Sequence, residues 1–115
     1  PTSTELLELG DKAFGMNDVE SAIKQYKLGI ESLSDDISLQ DALSLYTHLG
    51  SAHSHSGDNE EAVAAYRRAI LLHSDTVDSL GDDEDAKRDA TNQAAQAAYY
   101  QKCFALRPSK TSSSR

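Results

Sequence analysis

Apolar residues recur along the first third of the chain at the spacing of three and four that places them on one face of a helix. They form two stripes, Leu6, Leu9 and Ala13 followed by Ile23, Tyr26 and Ile30. Between the stripes, residues 16–18 are of types that tolerate a turn and cap a following helix. The pattern therefore predicts a hairpin of two antiparallel helices.

The same pattern occurs a second time, shifted by the 40 residues that separate Tyr26 from Tyr66. Small and polar residues recur after 40 residues, as the apolar residues do. The superimposed pairs are Leu9-Gly10 on Leu49-Gly50, Asp18 on Asp58, Glu20 on Glu60, Ala22 on Ala62, and Ile30 on Ile70. Such agreement in type and order predicts that residues 6–33 and 46–73 are two copies of one helical hairpin.

At these residues the chain resembles the tetratricopeptide repeat family. The family pattern has a large residue, then Leu-Gly, then a ring, and later an Ala with an aromatic residue four positions on. The second copy fits it with Tyr46, Leu49-Gly50, His53, Ala62 and Tyr66, whereas the first copy has Leu6 at the first position and Ala13 at the ring position. Neither copy ends with the usual Pro, since Ser34 and Ser74 stand there.

The spacing of 40 residues exceeds the usual 34 of the family, and the surplus lies around residues 34–39. Ser38 and Asp41 have the spacing of a capping box, which predicts that the first helix of the second copy begins near Leu39. The extra residues are therefore expected to lengthen helices rather than to add a loop.

A third helical segment is predicted over residues 83–106, because good helix formers dominate it and Arg107-Pro108 ends it. One register makes it the A helix of a third repeat, with Ala94-Ala95 on Leu49-Gly50. The other makes it a B helix, with Tyr100 on Tyr66 and Pro108 at the closing Pro. In both registers it covers the apolar face of the second hairpin.

The fold class expected from these elements is all-α, a tetratricopeptide-type solenoid of two hairpins and a C-terminal capping helix or partial third repeat. It occupies residues 1–107, and the polar, Ser-rich residues 108–115 are expected to be disordered.

The resemblance implies that the A helices line a concave groove that holds a peptide or a helix of a partner protein. Aligned groove positions come from all three A helices if the last helix has the A register. They are Leu7, Asp11, Phe14, Thr47, His48, Ser51, His55, Asn92, Gln93, Gln96, Tyr99 and Tyr100. Amide, hydroxyl and ring groups of this kind suit a segment anchored by a few side chains.

One subgroup of the family clamps the terminal carboxylate of chaperones with Lys, Asn and Arg side chains. The positions of that clamp correspond here to Leu7, Asp11, His48, Asp89 and Gln93. No cation of the clamp is present, and an anionic peptide end beside Asp11 and Asp89 would be repelled. The sequence therefore argues against binding of chaperone tails.

A formal net charge of −8 argues against nucleic acid as a ligand and leaves a basic protein partner open. No apolar run is long enough for membrane insertion. The lone Cys103 favours a reducing intracellular compartment over secretion. No His pair has the spacing of four that a helical zinc motif needs, and no catalytic motif or cofactor loop is present. We therefore expect no metal, no cofactor and no enzymatic activity.

Two functions fit these expectations. The first is an adaptor or scaffold module that binds a peptide or helical segment of a partner protein in its groove. The alternative is an assembly module, in which the last helix docks on another copy of the chain, making a homo-oligomer, or on another repeat array.

Overall fold

The computed structural model describes residues 2–32 and 39–105, and every regular element in these two ranges is an α-helix. The helices are α1 (Ser3–Gly15), α2 (Val19–Glu31), α3 (Leu39–His55), α4 (Asn59–Ser79) and α5 (Glu84–Ala105). The prediction of an all-α repeat fold is confirmed. The predicted cap at Ser38, the end of the last helix at Arg107-Pro108 and the tail at 108–115 lie outside the described residues.

The ends of the helices follow from local sequence. Thr2 and Glu5 form a capping box at the start of α1, in which the Thr2 hydroxyl accepts from the Glu5 amide at 3.1 Å and the Glu5 carboxylate accepts from the Thr2 amide at 2.8 Å. Both hairpin turns contain a residue with positive φ, Asn17 at 65° and Gly57 at 86°. These two residues are equivalent under the repeat shift, and their types tolerate this left-handed conformation.

Each hairpin is held together by a tyrosine ring that packs on a glycine. A Cβ atom placed on Gly10 would lie 2.6 Å from Tyr26 Cδ1, and one placed on Gly50 would lie 2.6 Å from Tyr66 Cε1. Both rings are almost fully buried. Glycine at these two positions therefore allows the helices of each hairpin to approach closely.

The hairpins stack through α3, which packs on α2 and, to a lesser extent, on α1. In the same way α5 packs mainly on α4 and less on α3. Its buried face is a row of small residues at intervals of four and three, Ala90, Ala94 and Ala97. These positions follow Leu45, Leu49 and Ala52 of α3 by a constant 45 residues, and those three residues are also buried.

The packing of α5 distinguishes the two registers considered for the last helix. In the B register, Gln96 and Tyr100 would take the places of the buried Ala62 and Tyr66, but both are exposed. In the A register, the three buried alanines of α5 coincide with buried residues of α3, although the exposed Ala95 takes the place of the buried Gly50. Burial on α5 thus fits the A register better than the B register, and a partial third repeat stays a prediction.

Candidate functional site

The predicted groove residues lie on α1, α3 and α5, and four of them meet in one cleft between the first hairpin and α3. The cleft has a volume of about 350 Å³. Its lining consists of Asp11, Phe14, His48 and Ser51 from the predicted set, together with Gly15 and Tyr26. Tyr26 was expected only as a packing residue, and Gly15 was not expected at all.

Asp11 is the polar centre of this cleft. The Tyr26 hydroxyl donates a hydrogen bond to Asp11 Oδ1 at 2.5 Å. The pKa of Tyr26 is raised, first by burial and then by the hydrogen bond to Asp11 and the charge of Asp11. The Tyr26 hydroxyl therefore keeps its proton and remains a donor. The bond fixes one oxygen of Asp11, although the side chain of Asp11 is still 48% exposed.

His48 faces the same carboxylate from α3. Its Nδ1 atom lies 3.0 Å from Asp11 Oδ1, but this atom is buried and makes no hydrogen bond with the described residues. The His48 ring also lies against the Tyr26 ring, with 5.8 Å between centroids. The contact brings α1, α2 and α3 together at the cleft.

The second hairpin repeats part of this arrangement with different chemistry. The Tyr66 and Ser51 hydroxyls are 3.1 Å apart, which corresponds to the contact of Tyr26 with Asp11 after the shift of 40. Burial raises the pKa of Tyr66, while its hydrogen bonds to Ser51 and Ser54 act in the opposite direction. A neutral hydroxyl thus stands in the second hairpin where the first has a carboxylate.

The remaining predicted residues on α1 and α3 are placed in different ways. His55 is exposed, and its ring lies edge-on to Phe14 with 4.9 Å between centroids, at the border of the cleft. Leu7 is half-buried against the core cluster that α2, α3 and α4 share. Thr47 is buried, and its hydroxyl donates to the Leu43 carbonyl at 2.8 Å. Thr47 therefore does not reach the groove surface in this structure.

None of the predicted residues on α5 lines the cleft around Asp11. Gln93 accepts a hydrogen bond from the Ser44 hydroxyl at 3.2 Å and donates one to Asp89, so that it links α5 to α3. Tyr100 stacks on Tyr66 with 5.9 Å between centroids. The other three, Asn92, Gln96 and Tyr99, are exposed.

His53 occupies the ring position of the repeat and is 95% buried, since its relative exposure is 5%. Its Nε2 atom makes no hydrogen bond with the described residues. Burial lowers the pKa of His53, and the positive charge of Lys27 lowers it further. The negative charges of Asp58 and Glu61 raise it, but by less. The side chain thus acts as a packed neutral ring.

Among residues 2–32 and 39–105, no three His, Cys, Asp or Glu side chains come close enough to hold a metal ion. In the same part of the chain, no helix is long and apolar enough to cross a membrane.

The sequence profile of the tetratricopeptide repeat matches residues 43–76, from α3 into α4. A search of curated proteins and one of solved structures each found no match. Repeats of this family generally mediate interactions between proteins, and the family is not an enzymatic one. The matched segment coincides with the second hairpin, and the first hairpin repeats its packing of tyrosine on glycine. Residues 43–76 therefore match one tetratricopeptide repeat, and the first hairpin resembles this segment in its packing.

Proposed function

We propose that this chain is an adaptor that binds a segment of a partner protein along α1 and α3, with the cleft around Asp11 as the anchor point. The observation that carries the proposal is the convergence of Asp11, Phe14, His48 and Ser51 on one cleft. Polar groups that fix orientation stand there beside rings that supply contact area, which is the usual composition of a binding pocket.

The size of the cleft indicates how the partner is held. Its volume of about 350 Å³ lies near the lower end of the roughly 300–1,000 Å³ typical of ligand pockets. Such a cleft accommodates one or two side chains rather than a whole segment. The partner segment would insert an anchoring side chain and lie across the neighbouring exposed surface, including His55.

Gly15 offers a way to block the cleft without disturbing the fold. It lines the cleft at the last position of α1, and a Cβ atom placed there meets no atom within 4 Å. The replacement Gly15→Leu should therefore fill space that the partner needs. A matched control is Lys24→Leu, which adds the same side chain at an exposed position of α2.

The test selects peptides from a random displayed library on the whole chain and measures the Kd of each selected peptide. We expect Gly15→Leu to weaken binding by about tenfold or more, equivalent to about 1.4 kcal/mol, while Lys24→Leu leaves it unchanged. If both variants and the wild type bind the peptides equally, the peptides bind outside the cleft and the proposal is refuted.

The assembly function is favoured by a different observation. Tyr99 on α5 is 64% exposed, and the neighbouring Tyr100 is 38% exposed. Exposed aromatic side chains are common in protein interfaces. If α5 joins two copies, the chain forms dimers whose population rises with concentration, and Tyr99→Ser dissociates them.

A further inference from the structure

We propose that the cleft recognises an arginine side chain of the partner, whose guanidinium group binds the carboxylate of Asp11. This inference rests on the proposed function and adds to it the chemistry of the anchoring residue. It makes the partner segment basic and assigns the recognition to the cleft between the first hairpin and α3.

Asp11 has no Lys or Arg partner within residues 2–32 and 39–105. Within the described ranges, the Lys and Arg ion pairs are Lys87 with Glu84 and Arg88 with Asp85, both on α5. The neighbouring Lys12 lines a separate depression with Glu5, Glu8 and Leu9. Asp11 is therefore a half-exposed carboxylate without a Lys or Arg partner in the described part of the chain.

The Asp11 carboxylate has one oxygen that can accept hydrogen bonds from a ligand. The Tyr26 hydroxyl occupies Oδ1 of Asp11, whereas Oδ2 accepts no hydrogen bond from the described residues. His48 Nδ1 is buried 3.0 Å from Oδ1, so a ligand cannot reach it there. A guanidinium group has five N–H donors in one plane and can donate a charge-assisted hydrogen bond to the open Oδ2.

Three rings lie beside Asp11 in the cleft. Phe14, Tyr26 and His48 all line the cleft with Asp11. Arginine stacks on ring faces, and a cation near an aromatic face is attracted by its negative charge density. An anion in the same place would face both the carboxylate and the ring faces. The lining is thus complementary to a flat cation.

The net charge of the whole chain also favours a cationic side chain in the cleft. Its formal net charge of −8 attracts basic segments over a distance of about one Debye length. The second hairpin has Ser51 in the position of Asp11, hydrogen-bonded to Tyr66. It therefore lacks the carboxylate, and one cationic anchor is expected rather than two.

The experiment is a double-mutant cycle between protein and peptide. Peptides are selected from a random displayed library on the whole chain, and each arginine of a selected peptide is replaced by citrulline, which keeps the shape and removes the charge. In the protein, Asp11→Asn removes the charge but keeps an oxygen that can accept from Tyr26. Glu8→Gln is the control, because it removes the same charge from an exposed position of α1 outside the cleft.

We expect one arginine to be enriched in the selected peptides. Replacing it by citrulline, or replacing Asp11 by Asn, should each raise Kd by about threefold to tenfold, as for a partly solvated ion pair with charged hydrogen bonds. The two changes together should raise Kd no further than either alone. Glu8→Gln should leave Kd within about twofold, and added salt should weaken binding of the arginine peptide more than that of its citrulline form.

Two outcomes overturn the inference, and they are distinguishable. Peptides that lose affinity with Gly15→Leu but contain no arginine, or bind equally as citrulline peptides, refute arginine recognition and leave the adaptor function standing. Peptides that bind Gly15→Leu as well as the wild type, or a selection that enriches none, refute the adaptor function and the inference with it.

Discussion

Single residues explain why two helices of this chain can lie so close together. Gly10 and Gly50 are buried under the rings of Tyr26 and Tyr66, and a side chain at either glycine would meet the ring. These contacts could be predicted from the sequence, because each glycine and its tyrosine recur together after 40 residues. The hydrogen bond from the Tyr26 hydroxyl to Asp11 could not be predicted from the sequence, because it depends on how far the ring reaches past Gly10.

Replacing Gly50 by Ala tests this close approach. The added methyl group would lie 2.6 Å from Tyr66 Cε1, so the helices or the ring must move. We expect a loss of about 1–3 kcal/mol in the free energy of unfolding, measured by urea denaturation. Gly15→Ala is the matched control, since its methyl group meets nothing within 4 Å. That variant should gain about 0.5–1 kcal/mol, because Ala is the better helix former. Equal effects of the two replacements would contradict the packing described.

The buried ring of His53 predicts how stability depends on pH. Because burial lowers the pKa of His53 in the folded chain, the unfolded chain takes up a proton first as the pH falls below about 6.5. The free energy of unfolding should therefore fall between pH 7 and pH 5.5, with a contribution of at most about 1.4 kcal/mol per pH unit from this group.

The comparison for His53 is His53→Phe, which keeps a ring and removes the titrating nitrogen. Its free energy of unfolding should change less than that of the wild type over the same interval. If urea denaturation gives the same pH slope for both proteins, His53 does not remain neutral in the folded chain.

At the scale of elements, spacing and turn residues were sufficient to predict the two hairpins. They were not sufficient to say which face of α3 remains open. This helix packs against all four other helices, so much of its circumference is covered. Thr47 was assigned to the groove by alignment, yet it is buried with its hydroxyl on the Leu43 carbonyl. A short motif carries no signal for burial by the other helices that pack on α3.

The face that α5 buries can be tested with neighbouring alanines. Ala97 is fully buried, whereas Ala98 is exposed. Ala97→Glu would place a carboxylate against the cluster around Leu43 and Tyr66, and we expect it to lower the free energy of unfolding by several kcal/mol. Ala98→Glu should change it by less than about 0.5 kcal/mol. A reversed order in thermal or urea denaturation would mean that α5 packs through another face.

The whole molecule is an elongated stack of helices, with extents of 51 × 29 × 23 Å over its Cα atoms. The cleft at Asp11 lies between the first hairpin and α3, whereas the exposed tyrosines lie on α5, the last helix of the stack. The adaptor and assembly functions therefore use different surfaces, and the oligomeric state helps to separate them.

We expect the chain to sediment as a monomer, because the adaptor function needs no second copy. Sedimentation equilibrium over a range of concentrations measures this directly. Tyr99→Ser should leave the result unchanged. A concentration-dependent dimer that Tyr99→Ser dissociates would favour the assembly function.

The most direct test of the account is to map the bound peptide on the protein by NMR. A peptide selected on the whole chain is titrated into isotope-labelled protein, and the shifts of the backbone amides are followed. The account predicts that the largest changes lie around Asp11, Phe14, His48 and Ser51 on α1 and α3. Changes confined to the outer surface of α2 and α4, or to the exposed side of α5, would contradict it.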